Sequence, residues 1–408
     1  MTKLFVTLLL AVNFSAQFIF RHIAGVEKIP LFDVATTLPI ILMLLPAAFK
    51  KGYAAIRKKF EFVIVLSLIP YLLAYAYTFF LIALMYAQSN TINLYQAARF
   101  PIKAVYYIVL AGILLLRFRE QALEMFCEAV IMSYAVNIMY GFAKIGVGGV
   151  LQYLATMAYV IGTGFNTYFE MHDLGLSVEL LIIYQLFMRE KTQWLTTSLL
   201  ALVMVFCYKR IAIFAMIVTM IFYVFIRRKG VFTRDVKVYG TFIAILAACF
   251  IYTWFIASDV ILELAARYGF DFSNRIGIFG AIRNFYEWSV FFLGHGLYFT
   301  RSHFQETYRL GITGLAGLHN DILTTYVDLG FIGSFLWFFY QLWIFPKSLE
   351  KHFGHETSFV WCILMVYAYC VYTTDNTQTY SMFQTFIDAI LMLQIMKHSG
   401  FISAKSAS

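Results

Sequence analysis

Apolar runs about as long as a lipid bilayer is thick recur from one end of this chain to the other. A helix that crosses the hydrocarbon core needs roughly 20 predominantly apolar residues. Twelve candidate runs are readable, the fourth and sixth of them short, at about 4–20, 31–49, 60–86, 104–116, 121–142, 175–188, 193–208, 211–226, 238–257, 322–345, 358–374 and 378–396. A water-soluble core cannot absorb so many. Charged residues make up only 13% of the chain, against about 25% in soluble domains. The expected fold class is therefore an all-α polytopic membrane protein of about twelve transmembrane helices, with residues 1–408 forming one integral membrane domain.

Lys and Arg set the expected orientation, because short cytoplasmic loops carry an excess of them. Placing the N-terminus inside puts 19 of the 31 basic residues on the inner side, including Lys50, Lys51, Arg57, Arg117, Arg119, Arg227, Arg228, Lys347 and Lys351. Both termini are then cytoplasmic. Topology accounts for most of the net charge of +9, so no nucleic-acid partner is implied. The first run lacks a small-residue cleavage site before Arg21 and reads as a retained helix. Cys127, Cys207, Cys249, Cys362 and Cys370 all fall in or beside apolar runs, an odd set expected to be free thiols.

Two outer connections are long. One, about 143–174, has apolar character around Val150–Gly164. The other is a polar island from Ser258 to Leu318 that reaches the next span by Asp321, an outer loop of 258–321 expected to carry much of an active site. Within the island Ile276, Phe279, Ile282 and Tyr286 recur at helical spacing, so Asn274–Phe292 reads as an amphipathic helix on the membrane surface. The island holds five arginines (Arg267, Arg275, Arg283, Arg301, Arg309) and no lysine, in a chain with 15 Arg and 16 Lys. A guanidinium fork grips phosphate oxygens in pairs and keeps its charge, which suits a pyrophosphate headgroup beside the bilayer. Pairing with Asp259, Glu263, Asp271, Glu287 and Glu306 is the alternative use for these arginines.

Lys209-Arg210 sits between two apolar runs on the expected outer side, either as a hairpin marker or with Arg210 holding an anion. His319 lies where the island meets the span Ile322–Phe345, with Asn320 or Asp321 as a helix N-cap. The positive end of a helix dipole favours an uncharged imidazole, the form that accepts a proton as a general base. Asp321, Thr324, Thr325 and Asp328 then share one helical face, and Leu323, Tyr326, Gly330 and Gly333 the other, where glycine permits close helix packing. His172-Asp173 and His303 read as isolated, and no spacing resembles a zinc or DxD-type site. No cofactor is expected.

The segment Gly317-Leu318-His319-Asn320-Asp321-Ile322-Leu323, followed by Asp328-Leu329-Gly330-Phe331-Ile332-Gly333, resembles the O-antigen polymerase and ligase family of bacterial surface-polysaccharide enzymes. Upstream, Arg275 followed by Leu293-Gly294-His295-Gly296 is similar to the family's arginine and Gly-x-Gly approach to its histidine, and Lys209-Arg210 to its basic residue at the outer end of a helix. Asp328 stands where Glu is commoner, and Lys209 where a small hydroxyl residue is common. The resemblance implies a metal-independent, C-type glycosyltransferase architecture in the bacterial inner membrane, acting on its outer face. It implies transfer of an undecaprenyl-pyrophosphate-linked glycan to a second repeat unit (a polymerase) or to lipid A-core (a ligase). His319 would be the base; Arg210, Arg275, Arg283, Arg301 and Arg309 would bind pyrophosphate; Asn320, Asp321 and Asp328 would support the site. Membrane lipid, a flippase and a chain-length regulator are the implied partners. A lipid-linked oligosaccharide flippase is the alternative of another class, although the polar island occurs once, without a matching half.

Overall fold

The computed structural model describes residues 2–19, 32–84, 94–156, 169, 171–258, 260, 263, 264, 267, 275–309 and 317–402. Among these every regular element is a helix. In chain order they begin with α1 (Thr2–Phe14), α2 (Phe32–Ala48), α3 (Ala54–Ala83), α4 (Leu94–Phe118) and α5 (Gln121–Thr156). Short α6 (His172–Gly175) and α7 (Val178–Ile183) lead to α8 (Trp194–Cys207), α9 (Arg210–Arg227) and α10 (Arg234–Ala257). Then come α11 (Arg275–Ile282), α12 (Phe299–Arg309), α13 (Asp321–Phe339), α14 (Phe345–Tyr372) and α15 (Ser381–His398).

Each of the twelve apolar runs falls largely on helix. Among the described residues six helical stretches are long and apolar enough to cross a membrane: Lys51–Ala83, Pro101–Phe118, Gln121–Tyr153, Arg210–Arg227, Arg234–Ala257 and Asp321–Tyr372. The last covers two expected spans, joined through a π-helical turn at Tyr340–Ile344. Large apolar side chains such as Phe214, Ile221, Ile332 and Leu336 are exposed on these helices. Lipid is the solvent that suits such a surface, and helices are the structures that satisfy their own backbone within it. The five cysteines are free thiols.

The chain forms two compact units, residues 1–61, 106–220 and 380–408 in one and 62–105 and 221–379 in the other. In the first, α1 packs on α5 and α2, α5 on α8, and α15 on α6 and α7. Phe14 meets Phe386 edge to face, their centroids 5.6 Å apart, and the buried Ser15 and Ser133 hydroxyls bond at 2.9 Å. In the second unit α10 packs on α13 and α14, and α12 on α13.

Pro39, Pro46, Pro70 and Pro101 sit inside helices. The non-helical backbone inside described helices is at glycines instead: Gly146, Gly330 and Gly354. Helix α5 runs to Thr156, beyond the end expected at 142, and residues 157–168 of the apolar 143–174 connection lie outside the described residues. The amphipathic helix expected over Asn274–Phe292 stops early. It is helical over Arg275–Ile282, has one 3-10 turn to Phe285, and is extended at Tyr286. Its apolar positions Phe279, Ile282 and Tyr286 are buried in a core with Phe292, Phe299, Phe304, Tyr326 and Val327. Protein burial, rather than a membrane surface, satisfies that face.

Candidate active site at the head of helix α13

Asn320 begins α13 as the sequence leads one to expect. Its Oδ1 accepts from Leu323 N at 2.9 Å, which satisfies one of the amides a helix start leaves over. The rest of this buried side chain is also used. Asn320 Nδ2 donates to the Tyr252 hydroxyl at 2.7 Å, and its backbone N donates to Asn376 Oδ1 at 3.1 Å. Asp321 holds the same turn from its other side, with its backbone N on Asp375 O at 3.2 Å and its Oδ2 accepting from Gln378 N at 2.9 Å. The head of α13 is thus sewn to the segment Asp375–Gln378. Asn320 and Asp321 therefore support the turn.

His319 lies at the outer edge of this assembly. Its φ is 50°, in the left-handed region that side-chain-bearing residues seldom adopt. Its Nδ1 is 3.5 Å from Asp375 Oδ1; the ring is 31% exposed and the carboxylate 6%. Catalytic hydrogen bonds are often long before substrate arrives. A carboxylate behind Nδ1 selects the tautomer with the basic lone pair on Nε2 and stabilises the imidazolium formed when that atom takes a proton. The sequence alone leaves the orienter of His319 open and does not single out Asp375. The available signal was the polar run Thr373-Thr374-Asp375-Asn376-Thr377-Gln378 between the last two apolar spans.

Asp328 lies two turns deeper and is buried. Its carboxylate accepts from Tyr298 N at 2.8 Å, Thr300 N at 2.8 Å and Thr300 Oγ1 at 2.6 Å, and so caps α12 from a different element. Two residues on, α13 breaks at Gly330, φ 70° and ψ −171°. The loop Phe292–Gly296 bonds directly to the break: His295 N to Val327 O at 3.2 Å, Gly296 N to Asp328 O at 2.7 Å, and Phe331 N to Phe292 O at 2.9 Å. From α3, the Tyr77 hydroxyl donates to Leu293 O at 2.7 Å and Thr78 Oγ1 accepts from Leu297 N at 2.9 Å. Gly330 was expected to admit a neighbouring helix; it admits a loop. The acidic-x-Gly and Gly-x-Gly patterns are two halves of one interlock.

The arginines divide. Arg301 acts electrostatically on the Asp321 carboxylate and lies over the Tyr298 ring, 5.6 Å from its centroid, which puts it with the His319 turn. Arg283 donates to Tyr286 O at 3.1 Å and lies over the Tyr286 ring. Arg275 opens α11 and Arg309 ends α12, but their side chains lie outside the described residues. Arg210 is exposed at the start of α9 and belongs to the first unit, whereas His319 belongs to the second.

Neither His172 nor His303 is isolated, contrary to expectation. His172 Nδ1 is 2.6 Å from Lys209 Nζ, and its Nε2 is 3.1 Å from the Tyr380 hydroxyl. His303 packs on the Phe285 ring with centroids 4.6 Å apart. His295 Nε2 donates to Phe285 O at 2.6 Å, and its ring stacks on Phe299. Burial pushes both His295 and His303 below the ordinary histidine value. The unfolded chain then binds protons more readily than the folded loop. The loop's stability is fully present above the unfolded value of about 6.5 and falls as pH drops through it. The protection factors of the amides of residues 285–303, exchange taken relative to its intrinsic rate at each pH, are expected to fall between pH 7.5 and pH 5.5. That fall should shrink in the His303→Gln variant. Equal protection at both pH values would contradict the coupling.

No family model, curated protein or solved structure matches the chain.

Proposed function

We propose that this protein is a membrane glycosyltransferase that moves a glycan from an undecaprenyl-pyrophosphate carrier to an acceptor hydroxyl. The observation that carries this reading is the partly exposed His319 imidazole backed by the buried Asp375 carboxylate at 3.5 Å. Its position within the Gly317–Asp321 motif supports the resemblance to O-antigen polymerases and ligases. In this reading His319 Nε2 takes the proton of the acceptor hydroxyl as its oxygen bonds to the anomeric carbon. The bond from that carbon to the phosphate oxygen breaks, and its electron pair leaves with the lipid pyrophosphate. Asp375 steadies the resulting imidazolium. Arg301, with Arg283 of the same loop, balances the charge that grows on the leaving group. The supporting topology is about twelve spans with both termini cytoplasmic and the His319 turn on the outer face of a bacterial inner membrane. Polymerisation of repeat units is favoured by the Asp321-Ile322-Leu323 and Asp328-Leu329-Gly330-Phe331 runs, with lipid A-core as the competing acceptor.

The test is transfer by the purified full chain in proteoliposomes supplied with lipid-pyrophosphate glycan. Expected products are covalently lengthened lipid-linked glycans, or a lipid A-core conjugate when that acceptor is offered instead. Movement of the glycan across the bilayer without a new glycosidic bond would make the protein a flippase and overturn the enzyme reading. In the same assay Asp375→Asn is expected to lower the rate about 100-fold, since an amide holds the wrong tautomer and cannot steady the imidazolium. Unchanged turnover would remove Asp375 from the mechanism.

A further inference from the structure

A second cluster of chemistry-bearing side chains lies away from the His319 turn, where the first turn of α10 meets α14. Asp235 is the second residue of α10, and Glu350 and His355 stand on α14. Residues five apart on an unbroken helix point about 140° away from each other. Between these two, Gly354 leaves the helical region with φ 75° and ψ 166°, and the break brings them to one place. His355 Nδ1 lies 2.6 Å from Glu350 Oε1 and 3.2 Å from Asp235 Oδ1. The three ligand-capable atoms are all within 4.8 Å of one another. The other oxygen of Glu350 accepts from the Tyr239 hydroxyl, one turn along α10 from Asp235. An outer hydroxyl that fixes a carboxylate in this way is a common support for a metal ligand.

We propose that Asp235, Glu350 and His355 form a binding site for a divalent transition cation, which clips the start of α10 to α14 across the Gly354 break. One imidazole nitrogen and two carboxylates suit Zn²⁺ or Mn²⁺ better than the all-oxygen preference of Ca²⁺ or Mg²⁺. Metal–ligand bonds of about 2.0–2.2 Å require donors about 3 Å apart, close to the 2.6 and 3.2 Å that separate the imidazole nitrogen from the two carboxylates. His355 is 63% exposed and Asp235 51%, so water can complete the coordination. The nearby positive charges are partly occupied. Arg234 pairs with Glu356 at 2.6 Å, and the Lys347 ammonium lies over the rings of Tyr239 and Trp343. Lys351 lines the same open groove, of about 620 Å³. The sequence hides this site because its ligands come from two helices more than a hundred residues apart and fit no short spacing.

The inference is independent of the glycosyl-transfer reading, and its test needs no activity. The detergent-solubilised full chain, stripped with a chelator, is titrated with Zn²⁺ and separately with Mn²⁺ by calorimetry. One cation per chain is expected to bind. The affinity should fall at least tenfold in His355→Ala and in Glu350→Gln, and about tenfold in Tyr239→Phe. The bound cation is also expected to raise the melting temperature of the parent chain and not that of His355→Ala. No stoichiometric uptake would overturn the site and leave His355 as a bridge between two carboxylates. Uptake that survives both ligand variants would overturn it too, by assigning the cation to other groups.

Discussion

Replacing His319 with alanine is expected to lower the rate of glycan transfer by about 10²–10⁴-fold while the protein stays folded and inserted. That range is the usual contribution of a positioned general base. The fold should survive because the ring is partly exposed and is not a member of the buried cluster around Tyr326 and Val327. The turn around it is held by Asn320, Asp321 and their bonds to residues 375–378, none of which the substitution removes. Alanine at φ 50° is about as uncomfortable as histidine, so backbone relief should not complicate the comparison. The measurement is initial transfer rate in proteoliposomes, alongside the elution profile and melting temperature of the variant. A rate near the parent's would sink the base assignment. Lost activity accompanied by aggregation would point to a structural role for the residue instead.

Gly330→Ala and Gly294→Ala should be the most damaging single changes to the fold. A Cβ at Gly330 would lie 2.3 Å from Leu293 C and Phe292 O, and one at Gly294 2.3 Å from Gly330 N. These are backbone atoms, which cannot swing aside as a side chain can. Both glycines also have positive φ, 70° and 78°, so alanine adds strain. Relief requires the loop to part from the helix break. The three backbone hydrogen bonds across it would then be lost and their buried groups left exposed to an apolar surround. Each such group costs about 1–3 kcal/mol, so the sum approaches the 5–15 kcal/mol that holds a typical domain together. The expected result is little or no monodisperse protein after detergent extraction. Gly240→Ala is the matched control: nothing lies within 4 Å of its added Cβ, and alanine is the better helix former. Parent-like melting of Gly330→Ala would refute the interlock.

Helices and the cap of α13 were legible in the sequence because both are local. Apolar runs of bilayer length have little choice but to be helical, and Asn320 three residues before Leu323 is a capping signal within a single turn. The His319–Asp375 pair was not legible, because its partners are 56 residues apart and Asp375 sits in what reads as an ordinary turn. Gly330 and Gly333 illustrate a different limit. Small residues in an apolar helix signal close approach, but spacing cannot say whether a helix or a loop approaches. The glycine pattern marked where the backbone is crowded: a loop meets Gly330, whereas the Tyr77 ring of α3 faces Gly333. Asn274–Phe292 failed for a related reason: helical spacing of Phe279, Ile282 and Tyr286 is equally served by a short helix that turns into an extended strap, provided the apolar side chains reach one core.

The left-handed backbone of His319 sets stability against chemistry at a single position. Glycine relaxes at such a φ and asparagine tolerates it, whereas histidine holds it at a cost of roughly 1 kcal/mol. A library selected only for resistance to heat would therefore drift toward glycine or asparagine at residue 319, gathering sturdier molecules that had lost the proposed base. Retention of histidine there under selection for surface glycan would mark a residue kept for what it does rather than for how well it fits.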